Sequence, residues 1–293
     1  IEEFDLENNG YEMNGSPVVL WYIFGKNGIQ LRTTISEMGP LLLSRVLDLN
    51  ELQSDILSIV FKIADDNKLL LIDTKDLKSM LAYVDKNADK FIADYGKISS
   101  ASIGVITRAV VSLEVAGGDI FFGEPALNIT DLLALDGGRG IINILDSSSI
   151  INNKQLYSAF MLWLLSELFE TLPEVGDVDK PKMIFFFDEA HLLFSGASQV
   201  LIEKVEQLVK MIRSKGVGVY FCTQNPSDMT DGVLAQLSNR IEHGLRAYTP
   251  KEQKSVRAAA DSFRENPEFD VYDTILNLGT GEAVISFLQE DGV

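Results

Sequence analysis

The chain has 293 residues, 46% of them hydrophobic and 23% charged, which suits a globular protein with a large core, in one domain with an insertion or in two. Forty-three acids against 25 bases give a net charge of −18, which argues against a protein coated in basic surface for wrapping nucleic acid but leaves room for a local basic patch. The single cysteine, Cys222, permits no internal disulfide and suits a reducing cytoplasm, and no apolar run reaches the ~18 residues of a membrane span.

The start at Ile1-Glu2-Glu3, with no Met and no signal peptide, is that expected of an internal fragment or a processed chain. The first twenty residues are acidic and turn-rich, a surface lead-in. Residues 18–24 (VVLWYIF) read as a strand stopped by a tight turn at Gly25-Lys26-Asn27-Gly28, with 29–35 pairing back on it as a hairpin. Residues 1–35 are thus expected to open the core.

Residues 36–135 are expected to be an all-α insertion. Leu52, Ile56, Val60 and Ile63 recur on one helical face, and Asn50 with Gln53 looks like an N-cap with its reciprocal partner. Ile103, Ile106, Val110 and Leu113 form a second stripe, which Gly117-Gly118 should stop. Shorter helices are predicted over 40–49, 77–84 and 86–95.

From 136 to 293 strands alternate with helices. Strands are predicted at 141–145, 183–187, 216–223, 241–247 and 282–288, and helices at 156–172, along the stripe Leu201, Val205, Leu208 and Ile212, and from Thr249. Thr249 as N-cap, Pro250 at the first helical position and Glu252 reaching back specify that last start. Such alternation implies βαβ units and a mostly parallel sheet.

Residues 183–194 read MIFFFDEAHLLF, and the rest of the chain is organised around them. A strand buried on both faces would deliver Asp188 and Glu189 to its C-terminal end, where open parallel sheets bind ligands. This is the Walker B pattern of nucleoside triphosphatases: Asp188 would hold Mg²⁺, and Glu189 would orient the water that attacks the γ-phosphate. The alternative is a core strand whose exit happens to carry two acids.

The strand at 216–223 ends in Thr223-Gln224, and neighbouring parallel strands would bring Gln224 close to Glu189. Its amide could bond both phosphate and water, or only the backbone. Arg240, closing a helix from residue 232, and Arg246, on the next strand, could each stabilise phosphoryl oxygens from a neighbouring subunit or serve as surface ion-pair residues. Residues 188–191 spell DEAH, but the other motifs of the helicase superfamily of that name are missing, so His191 reads as structural. Gly279-Thr280-Gly281 reads as a turn, and Lys251, Lys254 and Arg257 as a solvated ridge. No G-x-x-x-x-G-K-[ST] phosphate cradle occurs in the sequence.

The runs SEMGPLLLSRVLDLNELQSDIL, FFGEPALNI, FFFDEAHLLF, IRSKGVGVYFCTQNPSD, LSNR, LRAYTPKEQK and LGTGEAVISFL resemble the HerA/FtsK-type P-loop ATPases, most closely the YjgR-like bacterial branch. The resemblance extends from about residue 18 to the C-terminus. It implies an α/β, RecA-like core with a helical insertion, using ATP and Mg²⁺ in a homo-oligomeric, hexameric ring with nucleotide between subunits. By this resemblance Asp188 and Glu189 are Walker B, Gln224 is a polar sensor and Arg240 is an intersubunit arginine. DNA as track and a nuclease as partner are implied in the same way. The family's Walker A element would precede the region matched here, so the chain alone is expected to be impaired or inactive. A non-enzymatic assembly or regulatory module on a RecA-like core is the other reading.

Overall fold

A computed structural model describes residues 14–24, 28–151, 153–176, 178–194, 197–224 and 229–288. The chain forms two compact units, one up to Thr171 and one from Leu172.

The first unit opens with strand β1 (Val18–Tyr22), followed by β2 (Ile29–Gln30). The expected hairpin is not formed. β2 runs parallel to β1, Trp21 opposite Ile29 and Tyr22 opposite Gln30. The backbone at Gly28 comes so close to β1 that a Cβ there would lie 2.4 Å from the Leu20 carbonyl oxygen. Residues 25–27 of the predicted turn lie outside the described residues.

Six helices follow: α1 (Ile35–Val46), α2 (Glu51–Asp66), α3 (Thr74–Lys86), α4 (Ala88–Tyr95), α5 (Ser100–Leu113) and the single turn α6 (Asp119–Phe121). Local capping fixes the starts of the first three. Thr34 with Glu37, Asn50 with Gln53 and Asp73 with Asp76 each form reciprocal capping boxes before α1, α2 and α3. α1 begins five residues earlier than expected because Thr34 caps it and Gly39, at φ +69°, lets the chain bend before Pro40.

On α2 the buried face comprises Ile56, Leu57, Val60, Phe61, Ile63 and Ala64, while Leu52 in the first turn is 60% exposed, against expectation. The α5 stripe of Ile103, Ile106, Val110 and Leu113 is buried as predicted. Gly117-Gly118 does not end it: Gly117 takes φ +105° within a π-helical turn, Glu114–Gly118, and α6 carries the helix on. Ser100–Phe121 is therefore long and apolar enough to cross a membrane by length and composition, the single such helix among the described residues.

Strands β3 (Leu135–Asp136) and β4 (Arg139–Gly140) make a small antiparallel ribbon, and β5 (Ile142–Asp146) pairs with β1 in parallel over five residues. Helix α7 (Lys154–Thr171) is apolar almost all round and buried accordingly. Phe160 and Trp163 on it meet Phe121, with ring centroids 6.0 and 5.9 Å away, and each such buried side chain contributes about 1.5–3 kcal/mol.

In the second unit β6 (Met183–Phe187) pairs in parallel with β7 (Val217–Phe221), and helix α8 (Gln199–Met211) lies between them in sequence. Leu201, Val205 and Leu208 bury the predicted stripe of α8, and Ile212 continues it in the following 3-10 turn. β6 is not buried on both faces. Phe185 and Phe187 are half-buried, whereas Ile184 is 45% and Phe186 65% exposed, with Phe186 stacked on Tyr220 at 4.7 Å. Side chains alternate along a strand, and one face of this pair has no cover among the described residues.

The unit continues with α9 (Asp231–Leu234), β8 (Arg240–His243), α10 (Pro250–Asp261), α11 (Val271–Asn277) and β9 (Ala283–Ser286). β8 and β9 are antiparallel, a departure from the run of parallel strands. Thr249, Pro250 and Glu252 start α10 as predicted, and Val256, Ala260, Ile275 and Val284 form the local core.

Candidate functional site

Beyond its five paired residues the β6–β7 ladder continues for one more step. Cys222 donates its backbone N–H to the Phe187 carbonyl at 2.9 Å, and Ala190 donates to the Cys222 carbonyl at 2.8 Å. Asp188-Glu189 and Thr223-Gln224 therefore leave the two strands side by side.

Between those anchors Glu189 adopts φ 49°, ψ 48°, the left-handed region, where an ordinary side chain costs about 1–2 kcal/mol. Ala190 and Leu193, both buried, pin the 3-10 turn Ala190–Leu193 that follows. The bend turns the Glu189 carboxylate toward the end of β7. Gln224 Nε2 donates to its Oε1 at 2.9 Å, the juxtaposition expected of adjacent parallel strands. Asp188 is exposed, and its Oδ1 accepts the Glu189 backbone N–H at 3.0 Å.

One neighbour, His191, reads as structural in the sequence, with no sign of a contact to Glu189. His191 Nδ1 lies 3.2 Å from Glu189 Oε2. That oxygen is buried and has no hydrogen-bond partner of good geometry among the described residues. A histidine two places after an acid carries little signal in sequence; the left-handed turn at Glu189 is what folds the imidazole back.

The arginines sit elsewhere. Arg240 is the first residue of β8 rather than the end of a helix, and its guanidinium donates to the backbone carbonyls of Ser262 and, at 3.2 Å, Leu234. Partial burial lowers its pKa, although a guanidinium stays protonated regardless. Arg246 lies beyond β8 and donates to the carbonyls of Leu276 at 2.6 Å and Leu278 at 3.1 Å. Both staple backbone within their own unit, and neither is bonded to Glu189 or Gln224. On the basic ridge, Arg257 lies over the Tyr272 ring at 4.3 Å rather than standing free. Gly279-Thr280-Gly281 is a turn, with Gly281 at φ +84°.

No group of three or more His, Cys, Asp and Glu side chains that could cage a metal occurs among the described residues. Magnesium needs none, since it is usually bound through one or two carboxylates with water and phosphate oxygens completing the shell. The exposed Asp188 carboxylate beside Glu189 fits that mode of binding.

Comparison with known proteins gives a consistent set of likenesses. The sequence model of the family described as Helicase HerA-like C-terminal matches residues 1–293. The DNA double-strand break repair helicase HerA of Sulfolobus acidocaldarius is 31% identical over 99 residues, 33% of this chain and 19% of that protein. Its namesake from Pyrococcus furiosus is 29% identical over 104 residues, 35% of this chain and 18% of that protein. The match thus spans under a fifth of either relative's length. Among solved structures, the plasmid coupling protein TrwB in complex with ADP and Mg²⁺ superposes with a TM-score of 0.61 at 13% identity, covering 94% of this chain and 76% of that one. VirB4 of Thermoanaerobacter pseudethanolicus superposes with a TM-score of 0.54 at 16% identity, covering 94% and 82%. The RecA-like α/β fold expected from the sequence is shared with both.

Proposed function

The chain belongs to the HerA-like helicase C-terminal family, and from that premise we propose that it is part of an ATP-hydrolysing motor that moves DNA. The observation that carries this reading is the Gln224–Glu189 hydrogen bond at the strand ends, one residue from Asp188. Asp188 would hold Mg²⁺ as the Walker B acid, and the bound ion would neutralise charge on the nucleotide phosphates. Glu189 would orient and polarise the attacking water. Gln224, already bonded to Glu189, would exchange that bond for one to water or phosphate and so register the state of the nucleotide.

ATP and Mg²⁺ as ligands are supported by the TrwB complexes with ADP and Mg²⁺ and with an ATP analogue. DNA as track is supported by the names of the HerA relatives, with contact confined to local basic surface given the charge of −18. We propose a cytoplasmic homo-oligomer, a hexameric ring with nucleotide between subunits and a nuclease as partner. Residues 1–35 and 136–293 would supply the core and 36–135 the helical insertion. Arg240 and Arg246 would act across the subunit interface, exchanging backbone carbonyls for phosphate oxygens. The phosphate cradle would come from residues outside this sequence, which contains no G-x-x-x-x-G-K-[ST] run, so this chain alone would be inactive.

The engagement of both arginines with backbone carbonyls favours a second reading, a non-enzymatic assembly or regulatory module on the same core. Mg²⁺-dependent ATP hydrolysis by the full-length gene product and its Glu189→Gln variant separates the two. Loss of hydrolysis in the variant supports the motor, and a full-length protein as inert as its variant supports the module.

A further inference from the structure

Glu189 has two carboxylate oxygens with different neighbours. Oε1 accepts from Gln224 at 2.9 Å, while Oε2 is buried and lacks a hydrogen-bond partner of good geometry among the described residues. The polar atom within reach of Oε2 is His191 Nδ1, 3.2 Å away. Leaving a buried carboxylate oxygen unpaired costs about 1–3 kcal/mol or more, so a donor this close has a strong reason to turn onto it. Ionised carboxylates only accept, and the facing ring nitrogen must then carry a proton.

We propose that His191 is a positioning residue which, with Nδ1 protonated, holds Oε2 of Glu189 while Gln224 holds Oε1. The inference rests on Glu189 being the water-orienting group, and it adds what fixes that group's direction. The backbone explains why a second hold is useful. Glu189 sits in a left-handed conformation as the second residue of the two-residue bridge, Asp188-Glu189, between β6 and the 3-10 turn, and its side chain is 41% exposed. Gripped at Oε1 alone, the carboxylate could rotate about its final bond and present a different lone pair to water. Gripped at both oxygens it has one orientation. If Gln224 lets go on nucleotide binding, His191 is the hold that stays. The imidazole is carried by a turn pinned through buried Ala190 and Leu193, so the donor is supplied from a rigid support.

Two readouts test this. The chain has two histidines, His191 and His243, so ¹⁵N shifts of the ring nitrogens can be assigned with a His243→Asn variant. In this chain, above the imidazole titration range, His191 should be the Nδ1–H tautomer, and Glu189→Ala should release it toward Nε2–H. An Nε2–H tautomer in the unsubstituted chain would overturn the proposal. In the full-length gene product, His191→Leu should lower kcat about 10–100-fold, as loss of a supporting contact typically does, with KM for ATP unchanged. His191→Asn, whose amide nitrogen can take the place of Nδ1, should restore most of the rate. A His191→Leu enzyme with unaltered kcat, or a His191→Asn enzyme equally impaired although its melting curve is normal, would also overturn it. Retained hydrolysis in Glu189→Gln would instead remove the role assigned to Glu189, and the tautomer measurement would still decide the His191 contact.

Discussion

Gln224 at the end of β7 donates to Glu189 at the end of β6 across 2.9 Å, two residues 35 apart in sequence held together by the register of a parallel ladder. Every side chain proposed to act on the attacking water depends on that register. A one-residue slip would send Glu189 and Gln224 to opposite faces.

The backbone at Glu189 gives an unusual stability order. Alanine is ordinarily the better residue than glycine, by about 0.5–1 kcal/mol in regular structure. At φ 49° the preference should reverse, because glycine escapes the roughly 1–2 kcal/mol cost of the left-handed region. Urea midpoints followed by circular dichroism should therefore place Glu189→Gly above Glu189→Ala. Both variants should be devoid of hydrolysis in the full-length protein.

Arg240 holds two backbone carbonyls, those of Ser262 and Leu234. Arg240→Ala should destabilise the chain by about 1–3 kcal/mol, with Arg240→Lys intermediate because one ammonium cannot reproduce the planar fork. Mixing separates this structural part from the proposed intersubunit part. Full-length Arg240→Ala and Glu189→Gln subunits, each inactive alone, should regain partial hydrolysis when co-assembled, since some interfaces then combine an intact Arg240 with an intact Glu189. Absence of any recovery would confine Arg240 to its carbonyls.

Glu114, in the π-helical turn after α5, accepts from Lys78 Nζ and Thr74 Oγ1, each at 2.7 Å. Burial pushes its carboxyl up, but the two donors outweigh this and hold it below its ordinary value of 4.5. A pKa depressed on folding adds stability that is complete above 4.5 and is lost as pH falls through the lower folded value. Thermal melts at decreasing pH should accordingly show a fall below that point that is shallower in Lys78→Met, which is itself less stable at neutral pH.

Gly28 marks the close approach that makes β2 parallel to β1. An alanine Cβ would lie 2.4 Å from the Leu20 carbonyl oxygen and 2.6 Å from the Tyr22 ring. Gly28→Ala should cost about 1–3 kcal/mol. Both tryptophans, Trp21 and Trp163, lie in the first unit, so fluorescence-detected unfolding reads this change directly.

What sequence could reveal follows the range of the interaction. Capping at Asn50 with Gln53 and at Thr249 with Glu252 is settled within four residues, and both were legible. The meeting of Gln224 with Glu189 was legible because parallel strands that are neighbours end side by side. Leu52, the exposed Phe186 and the parallel entry of β2 were not, since periodicity says which residues share a face and not what covers that face. The contact that takes His191 beyond its structural reading was hidden for a different reason: it depends on one left-handed residue, and a glutamate gives no sign of adopting that conformation.

The most direct test of the motor is Mg²⁺-dependent ATP hydrolysis by the full-length gene product, measured beside its Glu189→Gln variant and the present 293-residue chain. Hydrolysis by the full-length protein and by neither of the others is the expected result. Equal rates in the full-length protein and its Glu189→Gln variant would contradict the catalytic role given to the Asp188-Glu189 strand end.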